Sequence, residues 1–230
     1  MFQRKWPVTL TPATEPLFIR VVLGIFLVLF ILDAPVTVAV DGLPDWVRAP
    51  FYYITRLGKS DWILIPSFLV AVGGFILGRF LWRDERAKLA LKTASISAFV
   101  FCGTAIPGIL ANLLKRTFGR ARPVRFEELG IWHFEPINFH WTMQSFPSGD
   151  ATTIFAFAAT IAFFFPRWAA LAVLGAALVA LSRIMIGVHY PTDVFGGILL
   201  GTYGAYAVRN FCLQRGWLFA ERDNGQIVAN

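Results

Sequence analysis

The sequence predicts an all-α membrane protein, a bundle of six transmembrane helices forming one domain over residues 1–230. Three observations carry this expectation. Of 230 residues, 57% are hydrophobic and 15% charged, and mean hydropathy is +0.61, beyond what a water-soluble domain of this size requires. Six apolar runs are separated by segments that hold most of the charge. Small residues recur at four-residue spacing inside those runs, as Gly74 and Gly78 and as Gly197, Gly201 and Ala205, which suits helices packed backbone to backbone.

The net charge of +7 comes from basic residues scattered between apolar runs rather than gathered on a polar domain. That pattern favours the anionic lipid of a bilayer over nucleic acid as a partner. Cys102 and Cys212 fall in or beside apolar runs and read as packing residues, and the three histidines are too few and too spread for a zinc or iron site. No cofactor is implied.

Taken in order, a short basic lead with Arg4 and Lys5 precedes the first span, Leu17 to Val40, which is too long for a signal-peptide core. Asp33 within it either lies at the interface beside Pro35 or faces the bundle interior with a basic partner. Residues 41–60 are dense in Trp, Tyr and Pro and predict an interfacial helix or loop. Trp62 to Gly78 is the second span, and the basic 79–92 stretch after it is the clearest cytoplasmic signal. Ala94 to Leu114 is the third span, with Pro107 as an expected kink. Residues 115–149 form a long polar and aromatic insertion, a length that often signals function. Ala151 to Phe165, Trp168 to Leu181 and Val194 to Val208 are the last three spans, and the polar tail from Gln214 to Asn230 is expected to be poorly ordered. With the 79–92 loop cytoplasmic, six spans put both termini there and the loops at 41–60, 115–149 and 182–193 on the opposite face.

Three polar islands converge on that face. In Lys115 to Pro123, Lys115 and Arg122 lie two helical turns apart and would share a face if the third span continued. In Ser145 to Asp150, Ser148 can cap the fourth span and Gly149 lets backbone N–H groups approach an anion. In Ser182 to Asp193, Pro191 starts a helix, which places His189 just before it and Asp193 in its first turn, close enough to orient the imidazole. Each island also has a plain reading, as snorkelling basic residues, an ordinary helix cap and a connecting loop.

Together the islands resemble the type 2 phosphatidic acid phosphatase superfamily of membrane lipid phosphatases, related to vanadium-dependent haloperoxidases. Lys-x6-Arg-Pro stands as Lys115 to Arg122-Pro123, and Ser-Arg-x5-His-x3-Asp as Ser182-Arg183, His189 and Asp193. The middle motif, Pro-Ser-Gly-His in the family, reads Pro147-Ser148-Gly149-Asp150 here. The resemblance spans about residues 50–208. It implies a metal-independent hydrolase of a membrane lipid phosphate, in a bacterial inner membrane with the site on the extracytoplasmic face. Lys115, Arg122, Ser148, Gly149 and Arg183 would bind the phosphate, His189 would attack phosphorus to form a phosphohistidine, and Asp193 would hold it. Lipid A 1-phosphate, undecaprenyl pyrophosphate, phosphatidylglycerol phosphate and phosphatidic acid are the candidate substrates.

Asp150 departs from the family pattern at the residue that serves as acid. Either the carboxyl is the working acid, or His133 or His140 replaces it, or the chain is a weak catalyst. A good leaving group, such as a pyrophosphate or a sugar 1-phosphate, needs less acid help. Transfer of the phosphoryl group to another lipid, and non-catalytic binding of a lipid phosphate, are the rival functions.

Overall fold

The computed structural model describes residues 2–8, 11–12 and 14–229. Its helices are α1 (Glu15–Asp41), α2 (Asp45–Ile54), α3 (Asp61–Ile76), α4 (Glu85–Phe118), the single turn α5 (Phe126–Leu129), α6 (Gly149–Phe164), α7 (Ala169–Met185) and α8 (Pro191–Gln214). The predicted all-α bundle is therefore present. On length and hydropathy, however, four segments qualify as membrane spans among the described residues: Glu15–Asp41, Asp45–Leu81, Glu85–Phe118 and Pro166–Met185. α6 falls short because its 16 residues rise only about 24 Å. It is also the central helix, with most of its residues buried, so it has little lipid-facing surface to supply. α8 is 24 residues long but carries Asp193, Arg209 and Asn210 buried among its neighbours.

α6 packs on α8, α7 and α4, and this contact positions the candidate site. Small residues make the approach possible. A methyl group on Gly201 would sit 2.2 Å from the Thr152 carbonyl oxygen of α6, and one on Gly197 would sit 2.5 Å from that of Ser148. Gly74 and Gly78 bring α3 and its continuation equally close to Ala90 and Ala87 of α4. Both predicted small-residue stripes are thus helix contacts. α4 runs on through Pro107, whose ring packs against Gly204.

The 41–60 segment forms the short helix α2 followed by a tight turn at Thr55–Gly58, as its aromatic and proline content predicted. Two expectations need correction. α4 stops at Phe118, where Gly119 adopts a left-handed backbone (φ 59°), so Lys115 and Arg122 do not share a helical face. The tail is not disordered: Phe219–Glu221 (β1) and Ile227–Ala229 (β2) pair antiparallel as a hairpin. Phe219 and Ile227 fall on one side of it and are buried in a cluster with Phe99, Phe163 and Tyr206, so apolar burial holds what its polar residues alone would not. Beside the hairpin, Arg209 of α8 donates to the carbonyls of Phe2, Arg4 and Lys5, and Ile227 N–H donates to Gln3, which brings both ends of the chain together.

Candidate active site

The loops at 41–60, 115–149 and 182–193 meet at one end of the bundle. α7 ends at Met185, and the chain reverses through Gly187 (φ 68°), with Gly187 N–H donating to Ile184 and Val188 N–H to Arg183. This turn leads to His189 immediately before α8. Asp193 occupies the first turn of α8, where its Oδ2 accepts from Tyr190 N–H at 2.9 Å and from Ser145 Oγ at 2.5 Å. The sequence-predicted geometry of this stretch holds: His189 Nδ1 lies 3.5 Å from Asp193 Oδ2. At that length no hydrogen bond is formed, and such pairs often tighten only when a ligand is bound.

His189 is 2% exposed. Burial pushes its imidazole down to about 3, and Arg122 and Lys115 push the same way against the opposing pull of Asp193. The ring is therefore neutral near pH 7, with Nε2 able to carry a lone pair when Nδ1–H points at the carboxylate.

α6 begins at the same place. Ser148 is its N-cap, accepting from Ala151 N–H, and Ser148 N–H donates to the Asp193 carbonyl at 2.9 Å, which ties the start of α6 to the start of α8. A methyl group on Gly149 would come 3.0 Å from Lys115 Nζ, so the bare backbone lets that ammonium lie against the helix N-terminus. Lys115 and Arg183 are buried, and Arg183 donates to Thr55 Oγ1. Arg122 reaches the site from the loop rather than along α4: its N–H donates to the Thr142 carbonyl, and its guanidinium to the Gln144 carbonyl at 3.3 Å. Lys115, Gly149 and Asp150 line one cavity of about 330 Å³ between α3, α4 and α6.

Asp150 lies 2.9 Å from Arg183 Nη1 and 3.7 Å from Lys59 Nζ. The carboxylate is thus engaged by two basic side chains. His133 pairs with Glu135 and His140 with Thr142, and neither lines the cavity at Lys115, Gly149 and Asp150.

Behind Asp193 lies a buried network that the motifs did not reveal. Arg120 donates to Asp193 Oδ1 and Asp33 Oδ2, both at 2.7 Å, and to Thr192 Oγ1 at 2.6 Å. Asp33 also accepts from Thr192 N–H at 3.1 Å and from Thr192 Oγ1 at 2.5 Å. The acidic residue of the first span therefore faces the bundle interior with a basic partner, the second of its two readings. Asp33 was the signal for that partner, although nothing in the sequence singled out Arg120 among the basic residues of its loop.

A buried imidazole beside a carboxylate, with Arg122 and Lys115 acting on its charge and the N-terminus of α6 tied to the start of α8, is an arrangement suited to an anion within a helical membrane bundle. The PAP2 superfamily model matches residues 96–217, and the chain belongs to that family, as its motifs predicted. It is 34% identical over 207 residues to a lipid A 1-phosphatase of Rhizobium johnstonii, covering 90% of this chain and 84% of that one. It is 27% identical over 177 residues to phosphatidylglycerophosphatase B of Bacillus subtilis, covering 72% of this chain and 75% of that one. The crystal structure of a transmembrane PAP2-type phosphatidylglycerolphosphate phosphatase from Bacillus subtilis shares the fold, with a TM-score of 0.54 at 22% identity over 83% of this chain and 93% of that one. The chain is a lipid phosphate hydrolase of this family and an integral membrane protein.

Proposed function

We propose that the protein removes phosphate from a membrane glycolipid, with the phosphate on a leaving group as good as a sugar 1-phosphate. The candidate substrate is lipid A 1-phosphate or a close analogue. Lys115, Arg122, Arg183, the Ser148 hydroxyl and the Gly149 amide hold the phosphate oxygens. His189 Nε2 attacks phosphorus, the P–O bond to the lipid breaks, and Asp193 steadies the imidazolium that forms. Water then attacks phosphorus and the P–N bond breaks, releasing inorganic phosphate and neutral His189; the proton this water gives up to solvent balances the one the departed lipid oxygen takes from it. Fixed positive charge around the equatorial oxygens supplies most of the stabilisation such a transfer needs.

The observation that carries this reading is the ion pair between Asp150 and Arg183. A carboxylate engaged by Arg183 and Lys59 is not free to serve the departing oxygen, so that oxygen must leave with little acid help. An anomeric or pyrophosphate oxygen does so far more readily than a simple alkoxide. The likeness to a lipid A 1-phosphatase supports the same choice. The site is proposed to face the extracytoplasmic side of a bacterial inner membrane, with α6 and α8 completing six crossings.

The test is phosphate release by purified protein in detergent with EDTA, across lipid A 1-phosphate, undecaprenyl pyrophosphate, phosphatidylglycerol phosphate and phosphatidic acid. Turnover of the first two well above the others, abolished in His189→Ala, is expected. Fastest turnover of phosphatidic acid would refute the leaving-group argument. The same ion pair favours a second reading, a lipid-phosphate binder with no acid. Activity absent from the native chain but appearing in Asp150→His would establish it.

A further inference from the structure

A second cavity, of about 510 Å³, opens beside the phosphate site and is built of different chemistry. Its walls are Asp41 at the end of α1, Arg48 of α2, and Arg122, Glu127, Glu128 and Trp141 of the long loop, closed by the 186–188 backbone. Arg122 belongs to both sites, and residues 186–188 run directly into His189. A group seated here therefore lies against Arg122 and the chain that leads into His189.

The walls specify what that group is. Of its three carboxylates, Glu128 is already held by Arg125 at 2.7 and 2.8 Å, which leaves Asp41 and Glu127 with the guanidinium groups of Arg48 and Arg122, a balance that favours neither a second phosphate nor a cation. Donors and acceptors are instead interleaved, the arrangement that a ligand with many hydroxyls can satisfy. Two of the donors, Arg48 Nε and Arg122 Nε, are buried without an acceptor. Leaving such groups unmet is costly, so a guanidinium that turns towards a hydroxyl or ring oxygen in the cavity gains a bond it lacks here. The half-exposed ring of Trp141, with the Arg122 guanidinium 5.6 Å from its centre, adds a flat apolar wall suited to the C–H face of a sugar. Gly187 keeps the floor open: a methyl group there would lie 3.5 Å from Asp41 Oδ1 and 3.6 Å from Arg48 Nη2, in a backbone conformation that disfavours side chains. The volume lies in the range of small-ligand pockets. A glycerol or isoprenoid headgroup has too few hydroxyls to engage both guanidinium groups and the carboxylates at once.

We propose that this cavity binds the sugar ring to which the scissile phosphate is attached, with Asp41, Arg48 and Glu127 holding its hydroxyls and Trp141 its face. The protein is on this account selective for phosphoglycolipids. This rests on the phosphatase reading above, and the test separates the two. Phosphate release is measured on a lipid whose phosphate is borne by glucosamine and on phosphatidic acid, for the native chain, Arg48→Ala and Glu127→Gln. The native chain should favour the sugar lipid, and each variant should lower that preference about tenfold through KM, the effect of one lost hydrogen bond to a charged group. A preference unchanged in both variants would overturn the proposal. Binding of soluble probes is measured in parallel: glucosamine 1-phosphate should bind more tightly than glycerol 3-phosphate, and Arg48→Ala should erase the difference. Equal affinity of the two probes in the native chain would overturn the sugar site even in an active enzyme. Tighter sugar phosphate binding without any phosphate release would keep the sugar site and remove the hydrolytic reading instead.

Discussion

Two arginines are buried at opposite ends of the bundle, Arg120 at 2% exposure and Arg209 at 1%, and each lies against aromatic rings. Arg120 sits 4.4 Å from the centre of the Tyr190 ring, and Arg209 sits 4.4 Å from that of Phe163 and 4.5 Å from that of Tyr206. Their hydrogen-bond partners differ in kind. Arg120 bonds two carboxylates, whereas Arg209 donates to the carbonyls of residues 2, 4 and 5 and to the Asn210 amide oxygen. Arg120 takes Asp193 Oδ1, which leaves Oδ2 for Ser145, Tyr190 N–H and the approach of His189. One guanidinium therefore orients a carboxylate of the candidate site, and the other clasps the chain ends. The same side chain, equally buried, is electrostatic in one place and architectural in the other because of what it meets.

The largest expected effect breaks the first half of that contrast. Arg120→Met leaves Asp33 and Asp193 buried together, which should cost about 3–5 kcal/mol of stability, as for a broken buried ion pair. It should also lower kcat in the molecules that remain folded, measured by thermal unfolding in detergent beside phosphate release. Unchanged kcat would make Arg120 a clasp like Arg209.

Gly201→Ala should follow, since its new methyl collides with the Thr152 carbonyl and forces α6 from α8. A loss of about 1–3 kcal/mol is expected from overpacking. A fall in kcat should accompany it, because the bond between Ser148 and Asp193 spans that contact. Gly175→Ala on α7, where nothing lies within 4 Å, is the matched control and should change neither.

Arg209→Met sharpens the other half. Its lost bonds to backbone carbonyls should cost about 1–3 kcal/mol while kcat and KM hold. A kcat loss matching that of Arg120→Met would erase the distinction between the two ends.

The smallest effect is on pH. His189 titrates below its ordinary value of 6.5, at about 3, when folded. Between those values the unfolded chain binds the extra proton, so this contribution to stability is complete above 6.5 and is lost as pH falls towards 3. The unfolding midpoint should drop from pH 7 to pH 4.5, and less so in His189→Asn. A midpoint equally sensitive to pH in both proteins would mean the imidazole is not buried as a neutral group.

The helical class and the three polar islands were legible because each rests on local pattern: apolar runs, a serine cap, and a proline that starts a helix between His189 and the carboxylate of Asp193. What was not legible depends on long-range closure. Arg122 reaches the site through a loop that turns at Gly119, a path that residue spacing alone does not encode. Arg120 was hidden among other basic residues, although Asp33 in an apolar span announced that some cation must meet it. The hairpin had a readable sign in Asn224-Gly225, with Gly225 at φ 74°, flanked by short apolar runs at 217–220 and 227–229. Its polar composition obscured that sign, since only the bundle underneath makes Phe219 and Ile227 worth burying.

The pairing of Asp33 with Arg120 also bears on how the protein is made. The two residues are 87 positions apart, so the first helix enters the bilayer well before its counter-ion has been synthesised. A lone aspartate deep in such a helix opposes insertion by up to about 3 kcal/mol. The ribosome must complete α4 and the turn at Gly119 before that opposition is relieved. Early in biogenesis α1 is therefore held in the membrane by the apolar residues around Asp33, and its docking against α8 is a late event in assembly.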